Sequence, residues 1–341
     1  TLGKIKHNLK MKSKLIILFS FILSSCYNNE ELRQNNEIRD LITNSVSTVE
    51  ETFTITKNDE IDIETKDGVK INFKWTDLDF TNIPQPSSIK VFVKNYQSNI
   101  DMFFNNLETI SNDTLLISGG SIQITIKSNS KNVRLKNGSF ASIYYPRDLN
   151  LGPMSLFYLD SGNWVKVPVN VDTTSITKID TVYYRTKDNP LYYTRIPIGP
   201  NEPRSTLRTA FEEDIFSYYY AKLPKLDYIN FDYLPKSVLT NIQVKVLSDN
   251  ITQVDAHLIF KDINSYKKSI IRKEDSFYNI PVGSTFTLLA FSIVGEKIYF
   301  LEKEIRNVRE EMSINLKLKE SSKDIIKKRL KKLKKTLPNN S

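Results

Sequence analysis

Alternation of apolar and polar positions dominates the chain from Thr52 onward. Ile61 and Ile63, then Asp67-Gly68, then Val69, Ile71 and Phe73 make two period-two segments joined by a turn whose glycine tolerates positive φ. Similar runs recur at 88–95, 114–118, 121–127, 132–136, 138–146, 154–159 and 164–167, separated by short polar turns. This spacing predicts an antiparallel β-sandwich over 52–168. A second series, at 240–247, 254–260, 268–271, 276–280, 285–293, 296–304 and 312–318, predicts another sandwich over 235–318. Between them, 169–234 is irregular, with Pro190, Pro197, Pro200, Pro203 and Pro224 and tyrosine clusters; Leu207, Phe211 and Ile215, spaced by four, predict a helix over 204–216. The expected fold class is therefore mainly β, two β-sandwich domains in tandem with a short C-terminal basic helix.

That helix falls within 319–341, where Ile326, Leu330, Leu333 and Leu337 recur at four, three and four, after Ser321 and Asp324 in capping-box spacing. Its opposite face is nearly all lysine. Such a helix can lie on anionic lipid or dock a partner, or it can pack its stripe on the second sandwich and leave the lysines solvated.

The start of the chain breaks the alternating pattern. Lys12 and Lys14 precede the apolar run Leu15 to Leu23, and Ser24-Ser25 lead into Cys26. This is the layout of a secretory signal over 11–25, with 1–10 an over-extended start. The run is too short to cross about 30 Å of hydrocarbon as a helix at about 1.5 Å per residue. Residues 26–51, rich in Asn, Glu, Thr and Ser, read as a tether.

Charge and composition narrow the partners. The 341 residues carry 48 Lys+Arg against 39 Asp+Glu, a net +9. Five of those lysines precede Cys26, and the tail from Ser321 holds eight basic residues and one acid, so the body between is mildly acidic. Nucleic acid is thereby excluded as a partner. One Cys and two His exclude a disulfide framework and the common zinc sites, and no metal or cofactor is expected.

Leu23-Ser24-Ser25-Cys26 resembles the lipobox of bacterial lipoproteins. The resemblance implies diacylglycerol on the Cys26 sulfur, cleavage before it and N-acylation, so that the lipid bilayer is the first partner. Several acyl chains, at about 0.8 kcal/mol per buried methylene, anchor stably. Tyr27 stands where aspartate would resemble an inner-membrane retention signal, which implies the outer membrane, with the body facing the periplasm or the cell surface. Asn28-Asn29-Glu30-Glu31 is similar to acidic surface-export signals of lipoproteins from Bacteroidota-type bacteria. Further on, the DGVKINF, ISGGSIQITIKS, VRLKNG and MSLFYLDSGNWVKV segments, with Gly68, Gly119, Gly120, Leu135, Leu156 and Trp164, resemble the ZU5-like β domain of a lipoprotein family from such bacteria. Asp227 to Asp232 resembles that family's Gly-Trp-Ile-Asn-x-Asp segment, with Asp227 and Tyr228 replacing Gly and Trp. Phe277 to Gly283 resembles carboxypeptidase-regulatory-like, Ig-like modules. These resemblances imply structural modules without catalysis.

Candidate chemistry is sparse. There is no Gly-x-Ser-x-Gly, and Gly119-Gly120 lacks the Lys-Ser/Thr of a phosphate loop and reads as a turn or bulge. His257, the sole histidine after Cys26, falls on the strand face opposite Val254, Ala256, Leu258 and Phe260, which predicts exposure to solvent. Asp227 and Asp232 are the nearest thing to a carboxylate pair for glycoside cleavage, and a hydrogen-bonded turn at the domain junction explains them as well. Tyr192 and Tyr193, beside Arg185, Lys187 and Arg195 in a proline-bounded loop, are candidates for contacting a glycan or an envelope protein, with plain packing the other reading. The function expected is thus a membrane-anchored, non-catalytic binding or structural module, with a glycan-acting hydrolase using carboxylates near the junction as the alternative.

Overall fold

The computed structural model describes residues 36–46, 49–81, 83–84, 86–147, 153–168, 171–177, 182–184, 192–194 and 215–336. They are mainly β, in several antiparallel sheets with a C-terminal helix. The chain divides into two compact units that interleave in sequence. An N-terminal unit holds 49–95 and 118–233, and a C-terminal unit holds the segment before residue 49, 96–117 and the chain from Leu234. The division expected near residue 168 is therefore crossed by chain in both directions.

In the N-terminal unit the alternating residues do what their period demands. Glu60–Glu64 and Lys70–Lys74 pair with Ile61 opposite Phe73 and Ile63 opposite Ile71, all four buried, and Gly68 turns at φ +81°. One sheet runs Glu50–Thr56, Ser88–Tyr96, Ile117–Ser128, Tyr228–Tyr233, Ser155–Asp160, Asn163–Lys166. A second runs Asp172–Thr177, Ile215–Leu223, Ala141–Pro146, Lys70–Lys74, Glu60–Glu64. A single apolar core draws Ile71, Ile143 and Tyr219 from the second sheet and Val91, Ile124 and Phe231 from the first. Residues 215–233, expected in the connecting segment, instead supply an interior strand to each sheet. Ile215 and Phe216 are strand where a helix over 204–216 was predicted; the rest of that prediction lies outside the described residues. The tyrosine triplet explains the outcome. Tyr219 turns inward to stack on Phe231, with ring centroids 6.0 Å apart, while Tyr218 and Tyr220 meet Tyr144 on the other face.

The C-terminal unit also has two sheets around one core. Glu274–Pro281, Leu239–Val246 and Ser313–Leu316 form one, in which the last pair is parallel. The other runs Tyr266–Ile271, Val254–Phe260, Phe286–Val294, Lys297–Ile305, Lys319–Ser321. Every residue of Val254–Phe260 is buried. One face meets the core, and the other is covered by residues from 96–117, which include a short helix (α2, Asn99–Phe104) capped by Ser98. Asn99 donates from its backbone to Asn264 Oδ1 at 2.6 Å and from its side chain to the Phe260 carbonyl. Thr109 exchanges bonds with the Tyr266 backbone at 2.9 and 3.0 Å.

Two helices flank these sheets in sequence. Within the expected tether, residues 36–43 form a helix (α1) whose Ile38, Leu41 and Ile42 are buried, an i, i+3, i+4 stripe. At the other end α3 (Lys323–Thr336) buries Ile326, Leu330 and Leu333. Its cap is Ser322, whose Oγ accepts from the Ile325 N–H, because Ser321 ends the preceding strand. Lys334 Nζ lies 3.9 Å from Asp101 Oδ1 on α2. Ile326, Leu330 and Leu333 of the stripe that a membrane-surface helix would need are thus occupied by packing, Leu337 lies outside the described residues, and the lysines of the helix are exposed or half-buried.

Candidate functional site

Two buried polar constellations, one in each unit, carry the chemistry-bearing residues. In the N-terminal unit, strands Ile117–Ser128 and Tyr228–Tyr233 bring together Ser118, Asn230 and Asp232, all buried. Ser118 Oγ donates to Asn230 Oδ1 at 2.8 Å and accepts from the Gly120 N–H at 3.0 Å, and the Asn230 amide donates to Asp232 Oδ2. Burial pushes the Asp232 carboxyl well above the usual range, outweighing the hydrogen bonds from Ser118 and Asn230 that favour its ionised form. Gly119 and Gly120 lie inside the strand rather than at a turn. A Cβ on Gly120, at φ +129°, would fall 2.1 Å from Tyr145 Oη, and one on Gly119 would fall 2.9 Å from Met154 Cε. Tyr145 crosses that gap to donate to Asn95 Oδ1 at 2.8 Å.

In the C-terminal unit the predicted solvent-facing histidine is buried. His257 is 1% exposed, with the edge of Phe103 5.4 Å away, Phe291 at 5.5 Å and Tyr266 stacked parallel at 5.9 Å. The strand period placed it correctly on the face opposite the core, but α2 covers that face. His257 Nδ1 is 2.8 Å from Tyr266 Oη, and Nε2 is 3.4 Å from Asp255 Oδ1, whose other oxygen pairs with Lys268 Nζ at 3.0 Å. A carboxylate opposite Nε2 requires the proton there, so Nδ1 accepts from the tyrosine hydroxyl. Desolvation lowers the His257 pKa to about 4 against the pull of Asp255, and raises that of Tyr266. Glu108 Oε1 accepts from the Lys268 N–H at 2.6 Å, and its carboxyl is raised by burial.

Chemically, both sets are buried polar clusters closed off by packing. Asp232, Asp255 and His257 carry the perturbed or charged positions that catalysis would use, and each is at most 2% exposed. Asp227 is exposed while Asp232 is buried, so the two do not flank a common surface where a glycosidic bond could sit. Cys26 and Arg195 lie outside the described residues. Tyr192 and Tyr193 fall in the strand Tyr192–Thr194, paired with Val182–Tyr184 so that Tyr193 faces Tyr183 and Tyr192 faces Tyr184 in register; a two-stranded hairpin stands where a loop was expected. Among the described residues no three His, Cys, Asp or Glu side chains converge on a possible metal position, and no helix is long and apolar enough to cross a membrane.

Sequence reasoning missed Ser118 and the set Glu108, Tyr266 and Lys268. Ser118 sits in an ordinary alternating strand, and Glu108 reaches Lys268 only because 96–117 joins the distant unit. Comparison with protein-family models, with characterised proteins and with solved structures finds no match to this chain.

Proposed function

We propose that the protein is a lipid-anchored outer-membrane lipoprotein whose two units, each a β-sandwich, act as a binding or structural module of the cell envelope. The observation that carries this reading is the sequence of basic residues, short apolar run and Leu23-Ser24-Ser25-Cys26. The interior supports it: the ionisable groups best suited to acid–base chemistry are sealed under aromatic side chains, where they hold strands together rather than meet substrate. The hydrolase alternative needs Asp232 at a surface, and that residue is fully buried. Glycan or envelope-protein contacts fall on Tyr192, Tyr193 and Arg195 in this reading.

Radiolabelled palmitate, followed by intact mass, tests the anchor. Label on the wild type and none on Cys26→Ala is the expected result; equal labelling of both, or an unmodified secreted protein, overturns it. A pull-down from envelope extract comparing wild type with Tyr192→Ala/Tyr193→Ala tests the hairpin, and equal retention of a ligand removes those residues from the reading.

A further inference from the structure

The sheet of the N-terminal unit opens into a cleft where Ser88–Tyr96 begins and Ile117–Ser128 ends. It encloses about 420 Å³ and is lined by Ser88, Ile89, Lys90, Phe92, Lys127, Ser128, Asn129 and Ser130. That volume is within the range of about 300–1,000 Å³ typical of small-ligand sites. Among the described residues no acidic side chain lines it.

Its polar groups share a second property. Lys94, on the same strand, pairs with Glu50 at 3.4 Å, whereas Lys90 lies opposite Thr54 and has no carboxylate partner among the described residues. Lys127 has none either; its ammonium rests 5.3 Å from the centroid of the Phe92 ring, which fixes the cation at the wall. Ser128, 2% exposed, shares the buried face of its strand with Ile124 and Ile126 and contributes no hydroxyl to the cleft. Asn129 and Ser130 form the turn that closes this end, both at positive φ (47° and 66°), and present a further amide and hydroxyl.

We propose that this cleft binds an acidic saccharide residue, a polyhydroxylated ring bearing a carboxylate. The two lysines take the carboxylate. Ser88, Asn129 and Ser130, which both donate and accept, take ring hydroxyls. The mixed set and the volume fit a sugar better than a lone inorganic anion, which would need cations only. This site extends the binding-module reading to a place remote in sequence from Tyr192 and Tyr193, and it stands independently of the lipid anchor, whose labelling test is separate.

The test is calorimetric titration of the full chain in detergent with trigalacturonate, with uncharged galactotriose, and with sodium phosphate. Trigalacturonate is expected to bind, with galactotriose and phosphate at least tenfold weaker, and with affinity falling as salt rises. Lys90→Gln/Lys127→Gln should lower trigalacturonate affinity tenfold or more, while Tyr192→Ala/Tyr193→Ala leaves it unchanged. Absence of trigalacturonate binding, equal binding of galactotriose or phosphate, or full affinity in the lysine variant overturns the proposal. Each variant's circular dichroism and melting curve shows whether it is folded, and Lys90→Gln alone, at an exposed position, serves if the double variant is not.

Discussion

A strand interior normally penalises glycine, yet Gly120 occupies one because the Tyr145 side chain fills the space of its missing Cβ. Gly120→Ala should therefore combine a steric overlap with a strained φ and destabilise the N-terminal unit by about 3 kcal/mol, read by urea denaturation. His257 supports a different expectation. Its folded pKa, about 4, lies below the ordinary 6.5, so the unfolded chain takes up the proton first, and the stability it contributes is complete above pH 6.5 and lost as pH falls toward 4. The full loss is on the order of 3 kcal/mol. Asp255, Lys268 and Tyr266 face it, and the neighbouring carboxyl of Glu108, raised by burial, offsets part of the loss because the folded state protonates it more readily. Replacement by a residue that does not titrate, His257→Gln, should flatten the melting temperature of the C-terminal unit between pH 6.5 and 4. An unchanged slope would assign the acid sensitivity elsewhere.

Elements differ in how openly their sequences declare them. The hairpin at Ile61 to Phe73 was legible because period-two apolar residues, a turn glycine and short range all agree. The α3 helix was legible for a similar reason, its stripe of Ile326, Leu330 and Leu333 standing against lysines. Leu330→Ala should cost about 2–4 kcal/mol in denaturant unfolding, while Lys327→Gln and Lys331→Gln, both at exposed positions, should change stability by under about 0.5 kcal/mol. Burial of His257 was not legible. Its strand period gives the face, but whether that face meets water depends on α2, some 150 residues earlier in the chain. The interior strands at 215–233 were hidden for the same kind of reason: a proline- and tyrosine-rich approach masks residues whose partners, Ala141–Pro146 and Ser155–Asp160, lie well upstream. Of the candidate site, Asp232 and His257 could be picked out as residue types, but not their neighbours or their seclusion.

At the scale of the molecule, the chain passes between its units four times among the described residues, at 48/49, 95/96, 117/118 and 233/234. A fragment ending at residue 168 lacks two interior strands and should remain unfolded. A fragment of 49–233 in which 96–117 is replaced by a short loop should fold, since Ser88–Tyr96 and Ile117–Ser128 are neighbours in the sheet. Circular dichroism and melting cooperativity of the two fragments check this. The same interleaving imposes an order on synthesis and export. Ile100, Met102, Phe103 and Phe104 emerge early, but the strands that bury them, Val254–Phe260 and Tyr266–Ile271, arrive only after the whole of the N-terminal unit. For that interval a greasy segment waits uncovered beside a finished domain, which is the situation that holding chaperones relieve. Nascent chains arrested near residue 240 should accordingly be cleaved at 99–104 by a protease specific for aromatic residues, and chains extended past 305 should be protected there.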